Sequence, residues 1–214
     1  MEIFDISRTL SAELPPWPGD VAFRYRVNGR ISEGSSVNVG AIDMSLHNGT
    51  HADAKFHFED DGWTIEQAEL ETYVGLVVVI DLASKYTGSE MPQITVGDLL
   101  PIVDELPTAP RLLLKTNVWS DSREFPKQIP VIAADVTPWL RARGVKLLGF
   151  DVPSVDEITS KDLPNHHALG AANINILESL DLRAVIAGRY NLAALPLKIA
   201  GGDGSPIRAI LWRE

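Results

Sequence analysis

All five histidines of this 214-residue chain fall in two short windows. His47, His51 and His57 lie in SLHNGTHADAKFHF, residues 45 to 58, with Asp53 among them, and His166 and His167 are adjacent in LPNHHALG. Imidazoles and carboxylates are the side chains that hold borderline divalent ions and move protons near neutral pH. Asn48-Gly49 is a turn signal, so His47 is expected to end a strand, on the phase opposite Ile42, Met44 and Leu46. If the chain then runs extended, His51, Asp53 and His57 share one phase and project together. Two imidazoles and a carboxylate at one point form a ligand set for zinc or a similar divalent ion. Asn48 and Thr50 would fix the turn and orient the ligands. The plainer alternative is a chance cluster of histidines on a polar loop.

In ANINILESL, Ile174, Ile176 and Glu178 fall on one strand phase. If the isoleucines face the core, so does Glu178, and a buried carboxylate needs a partner. A metal ion is one such partner and an arginine is another. His166 follows the strand-like KLLGFD, in the position where site residues of α/β sheets gather.

The elements that must bring these windows together are legible as apolar runs. GLVVVIDLA, RLLLKTN and VKLLGFDVP have the length and branching of buried strands. EIFDIS and AFRYRV alternate as strands do, SVNVGAIDMSL has extended character, and ANINILESL and SPIRAILW add further strand candidates. TIEQAELETYV, TVGDLLPIVDEL and AADVTPWLRARG read as helices, the last two carrying Pro101 and Pro138. No repeat or linker interrupts the pattern. The expectation is α/β, a single domain over residues 1 to 214 with a mixed β-sheet.

Composition narrows the chemistry. The chain has no cysteine, which excludes disulfides, thiolate nucleophiles and cysteine-ligated metal centres. A formal charge of -10 without a basic run argues against nucleic acid and anionic membranes as partners. MEIFDISRTL lacks the basic and apolar regions of a signal peptide, and no apolar run is long enough to span a bilayer, so a cytoplasmic protein is expected. G-x-S-x-G is absent, and GGDGSP lacks the Lys-Ser/Thr of a phosphate loop.

HNGTHADAKFH resembles the His-x-Gly-Thr-His-x-Asp motif of the cyclase family, and in particular of its bacterial kynurenine formamidases. FDIS, WPGD, SVNVG, DVPSVD, HHALG, ILE, ALPLKI and DGSPIRAIL look like that family in the same order, so the resemblance runs nearly the full length. It implies a β/β/α, swivelling-type fold, a homodimer, and two zinc ions per subunit, with manganese as the other candidate. His47, His51 and Asp53 would hold one ion. Asp53 would bridge to a second, held by His166, and Glu178 would contact both. His57 would be the general acid/base and Trp17 would contact an aromatic substrate ring.

Two positions depart from the pattern: Lys55 stands where relatives often have proline, and GAAN at 170 to 173 is smaller than expected. The implied reaction is hydrolysis of N-formyl-L-kynurenine, a small aromatic formamide, to L-kynurenine and formate by a metal-activated hydroxide. The alternatives are an isatin-type cyclic-amide hydrolase of the same family, a metal-binding protein without turnover, and a manganese enzyme using only His47, His51 and Asp53.

Overall fold

The computed structural model describes residues 1 to 213. Eleven strands and three short helices follow in chain order: β1 (Glu2–Asp5), β2 (Arg24–Gly29), β3 (Val39–Asp43), β4 (His51–Asp53), β5 (Val74–Asp81), α1 (Val96–Leu99), β6 (Arg111–Lys115), α2 (Val136–Arg141), β7 (Leu147–Phe150), α3 (Pro164–Ala171), β8 (Asn175–Glu178), β9 (Gly188–Ala193), β10 (Gly204–Pro206) and β11 (Ile210–Arg213). Nine of these strands form one mixed sheet in the order β1-β11-β9-β5-β6-β7-β8-β4-β10. The centre, β5 to β8, is parallel, and the flanks are antiparallel.

The parallel strands are buried on both faces, which is why they read as continuous apolar runs. Val78, Ile80, Leu112, Leu114, Leu148 and Phe150 face one core, shared with Leu99, Val136, Leu140 and Leu169 of the helical connections. Val77, Val79, Leu113, Leu147 and Leu177 face a second core, closed by Ile6, Tyr73, Leu192 and Leu211 as the sheet curls over itself. The result is the expected α/β fold with a mixed sheet, helices packed on one face only.

Three local expectations are corrected. Residues 64 to 74 form no continuous helix but two 3-10 turns, Ile65–Gln67 and Leu70–Thr72. Their backbone groups are recruited elsewhere: Ile65 N–H donates to the Gly202 carbonyl at 2.8 Å, and the buried Arg111 donates to the carbonyls of Glu71 and Thr72. The stretch read as one closing strand is two, β10 and β11, which pair at opposite ends of the sheet. β2 and β3 form a separate hairpin outside the main sheet, and Ile42, expected to share an apolar phase, is exposed there with Tyr25 and Val27.

Leu113 sits at the middle of β6, fully buried in the second core. Leu113→Ala is expected to lower the unfolding free energy by about 2–5 kcal/mol, measured by denaturant titration at constant m-value.

Candidate metal centre

The donor cluster forms at one edge of the sheet, where β4 lies between β8 and β10. Register does the first part of the work. His51 is directly opposite Glu178 across β4 and β8, so both side chains leave the same face. Asp53, two residues on, shares that face.

His47 does not end a strand. β3 stops at Asp43, and His47 sits in the following turn, where Asn48 N–H donates to the Ser45 carbonyl at 3.2 Å. Gly49 continues that turn at φ 73°, a left-handed conformation that favours glycine, and a Cβ there would press on Leu10 Cδ2 at 2.8 Å. Thr50 locks the exit of the turn, donating to the Ser179 carbonyl at 2.7 Å and accepting from Arg8 N–H at 2.8 Å.

His57 also departs from the expected strand phase. Residues Lys55–His57 form a 3-10 turn, closed by His57 N–H donating to the Ala54 carbonyl at 3.0 Å. The turn swings the ring out of the Asp53 row and over His47, with ring centroids 3.9 Å apart. His166 lies on α3. Asp156 accepts the backbone N–H groups of Asn165 and His166 and also lies 2.7 Å from His166 Nδ1, so one carboxylate caps the helix and orients the ring.

The structure thus brings together His47, His51, Asp53, His166 and Glu178, with His57 beside them. Three groupings result: His47, His51 and Asp53; Asp53, His166 and Glu178; and His47, His57 and Asp203. Asp53 belongs to the first two. Glu178 reaches both as well, its Oε2 3.4 Å from His51 Nε2 and its Oε1 3.5 Å from His166 Nε2. His167 stays outside these groupings.

Asp203 and Asp156 were not anticipated from sequence. Asp203 accepts from His47 Nε2 at 3.1 Å and stands 3.7 Å from His57 Nδ1, an ion-pair distance. A lone aspartate in a glycine-rich turn gives no local signal. Asp156, ten residues before His166 in the loop that follows the strand-like KLLGFD, gives none either.

These donors fit a divalent cation. His51 is 1% exposed, Asp53 3%, His166 3% and Glu178 4%, so water cannot compensate their charge. His51 Nδ1 donates to the Gly49 carbonyl at 2.8 Å, which leaves Nε2 as the lone-pair nitrogen facing carboxylates at 3.4 Å. His51 Nε2 and Asp53 Oδ2 have no hydrogen-bond partner. Two donors on a tetrahedral zinc lie about 3.4 Å apart, given bonds of roughly 2.0–2.1 Å. His166 Nε2 is 3.6 Å from Asp53 Oδ2, in keeping with that spacing.

A cavity of about 290 Å³ opens beside the cluster, lined by His47, His57, His166, Glu178 and an aromatic wall of Trp17, Trp119 and Phe125. The Trp17 and Phe125 rings meet edge-on at 5.5 Å. Lys55 is absent from this lining. It pairs with Glu59 at 2.9 Å and lines a separate hollow with Gly170, Ala172 and Asn173. Both departures from the family pattern therefore lie away from the aromatic cavity.

Without a cation, protons must balance the carboxylates. Burial pushes the His51 imidazolium down, but the Asp53 and Glu178 carboxylates facing it outweigh that and raise it to about 10. His166 is raised to about 10 by Asp156 and Asp53 against the same burial effect. At pH 8 both rings of the metal-free protein are therefore protonated, and a ligating imidazole must be neutral. Zinc uptake at that pH is expected to release about two protons, and apparent affinity to rise with pH toward 10. Calorimetry in buffers of different ionisation heat measures this, and uptake without proton release would place the ion elsewhere.

The family model described as Putative cyclase matches residues 4–157. A kynurenine formamidase of Geobacillus thermodenitrificans (strain NG80-2) is 45% identical over 207 residues, covering 97% of this chain and 95% of the relative. Isatin hydrolase A from Labrenzia aggregata, solved with benzyl benzoate, superposes with a TM-score of 0.84 at 26% identity, over 98% of this chain and 93% of that one. A solved structure described as a potential metal-dependent hydrolase with cyclase activity gives 0.79 at 26% identity, over 100% and 98%. Matches of this extent, over a chain that carries the motif and its downstream partners in register, have one reading: the protein belongs to the cyclase family.

Proposed function

We propose that this chain is a metal-dependent amide hydrolase that converts N-formyl-L-kynurenine to L-kynurenine and formate. The observation that carries the reading is the meeting of a buried His/Asp/Glu donor set with a cavity walled by Trp17, Trp119 and Phe125. The first suits amide hydrolysis and the second an aryl ring, and both agree with the formamidase relative at 45% identity.

His47, His51 and Asp53 would hold one ion, and His166 with Asp53 and Glu178 a second. Zinc is the metal that this donor set suits best, two ions per subunit. When bound, such ions supply Lewis acidity, activating water and polarising the formyl oxygen near neutral pH.

The chain's own residues supply the rest. His57 Nδ1 is turned toward Asp203, so Nε2 is the nitrogen free to take a proton from water and pass it to the departing arylamine. Asp203 is held well below the usual carboxylate range by His47 and His57, and stays ionised to steady both rings. Trp17 and its neighbours would stack on the aryl ring, about 0.5–1.5 kcal/mol beyond the area buried, and keep the formyl group over the donor set.

The reading extends to a cytoplasmic homodimer. The detached β2–β3 hairpin supports association, because an isolated two-stranded hairpin is marginal alone and this one exposes Tyr25, Val27, Val39 and Ile42. Among the described residues no helix is long and apolar enough to cross a membrane.

A cyclic aryl amide is the competing substrate, favoured by the likeness to isatin hydrolase A. Metal-replete protein is expected to release kynurenine and formate from N-formylkynurenine with a higher kcat/KM than it shows on isatin. The reverse order would move the assignment to the cyclic amide, and no turnover of either would leave a metal-binding protein. His57→Ala is expected to keep its metal while losing about 10²–10⁴-fold in kcat; loss of metal in that variant would make His57 a ligand.

A further inference from the structure

The turn that carries Trp17 also carries a carboxylate with no part in the donor set. Trp17-Pro18-Gly19-Asp20 is built as a type II turn: proline at the second position, glycine at φ 101° at the third, and Asp20 N–H donating to the Trp17 carbonyl at 2.9 Å. The two ends of such a turn lie within about 7 Å of one another, and both Trp17 and Asp20 line the aromatic cavity. Trp17 is half-buried and Asp20 is exposed at the rim.

Asp20 is also tied to the metal centre. Ser45 Oγ donates to Asp20 Oδ2 at 2.9 Å and accepts from His47 N–H at 3.3 Å. The carboxylate is thus held at a fixed offset from the donor cluster through Oδ2, and Oδ1 takes no part in that hydrogen bond. Apart from His47, His57, His166 and Glu178, Asp20 is the one ionisable side chain in the lining, and no lysine or arginine is among those described. At about 290 Å³ the cavity is near the small end of the roughly 300–1,000 Å³ usual for ligands, so a ring that fills it leaves its side chain at the rim.

We propose that Asp20 is a specificity residue, gripping an alkylammonium group on the side chain of the aryl formamide while Trp17 holds the ring. This rests on the aryl-formamide reading. The cavity then favours a substrate that carries an ammonium ortho-chain and disfavours an aryl formamide whose only charge is a carboxylate. The α-carboxylate of an amino-acid side chain finds no lysine or arginine in the lining to pair with.

The test is kcat/KM on metal-replete enzyme for three aryl formamides: N-formylkynurenine, with ammonium and carboxylate; N-formylanthranilate, with carboxylate only; and formanilide, with neither. Asp20→Asn is expected to lower the N-formylkynurenine to formanilide ratio about fivefold, the size of an exposed ion pair, mainly through KM. It is expected to raise the N-formylanthranilate to formanilide ratio, and Asp20→Glu to retain most of the wild-type preference. In the wild type, raising salt to roughly 0.5 M should erode the preference for the ammonium substrate, a readout independent of any variant. An equal loss on all three substrates would reduce Asp20 to an anchor for Ser45, and unchanged ratios in Asp20→Asn or insensitivity to salt would also overturn the inference. Wild-type enzyme inert toward all three would instead remove the aryl-formamide reading beneath it.

Discussion

Asp53 and Glu178 are buried carboxylates packed among three imidazoles, and their charge is the constraint around which this end of the molecule is organised. Among the described residues neither has a lysine or arginine in ion-pair contact. A desolvated carboxylate costs several kcal/mol unless something positive stands close, and the nearest groups, His51 and His166, face them with the nitrogen that is unprotonated in the neutral ring. The shell beyond makes this choice. Gly49's carbonyl and Asp156's carboxylate each claim one Nδ1 proton and aim each Nε2 inward. The cluster is therefore preorganised for a cation and uncomfortable without one, with protons as the substitute.

That demand explains otherwise odd local structure. β4 is only three residues long, yet it pairs on both sides, with β8 bringing Glu178 and β10 leading Asp203 in. The chain must turn sharply before and after β4 so that His47 and His57 can stack on the same side. The Gly49 turn does the first and the 3-10 turn at Lys55–His57 the second.

The sequence made the donors legible because histidine is scarce here and its clustering is hard to explain by packing. The parallel strands were equally plain, since burial on both faces writes itself as unbroken Val, Leu and Ile. What failed was the extrapolation of local period. The local period puts His57 on the Asp53 phase, but the strand ends at Asp53. Residues 64 to 74 have helical composition, but Arg111 and Gly202, remote in sequence, take their backbone partners. Asp203 and Asp156 are visible only once folded, because a single aspartate in a loop has no pattern to announce it. The detachment of the β2–β3 hairpin likewise could not be read from an alternating pattern that any antiparallel pair would show.

The topology also orders events in time. β4 pairs with β8 on one side and β10 on the other, and the last of the five donors, Glu178, lies on β8, so the pocket of donors closes only when most of the polypeptide is available. A nascent chain emerging from the ribosome holds His47, His51 and Asp53 on a segment with neither neighbour in place. An ion held by this set would therefore be taken up late in maturation rather than seed it, with the completed sheet edge as the clasp.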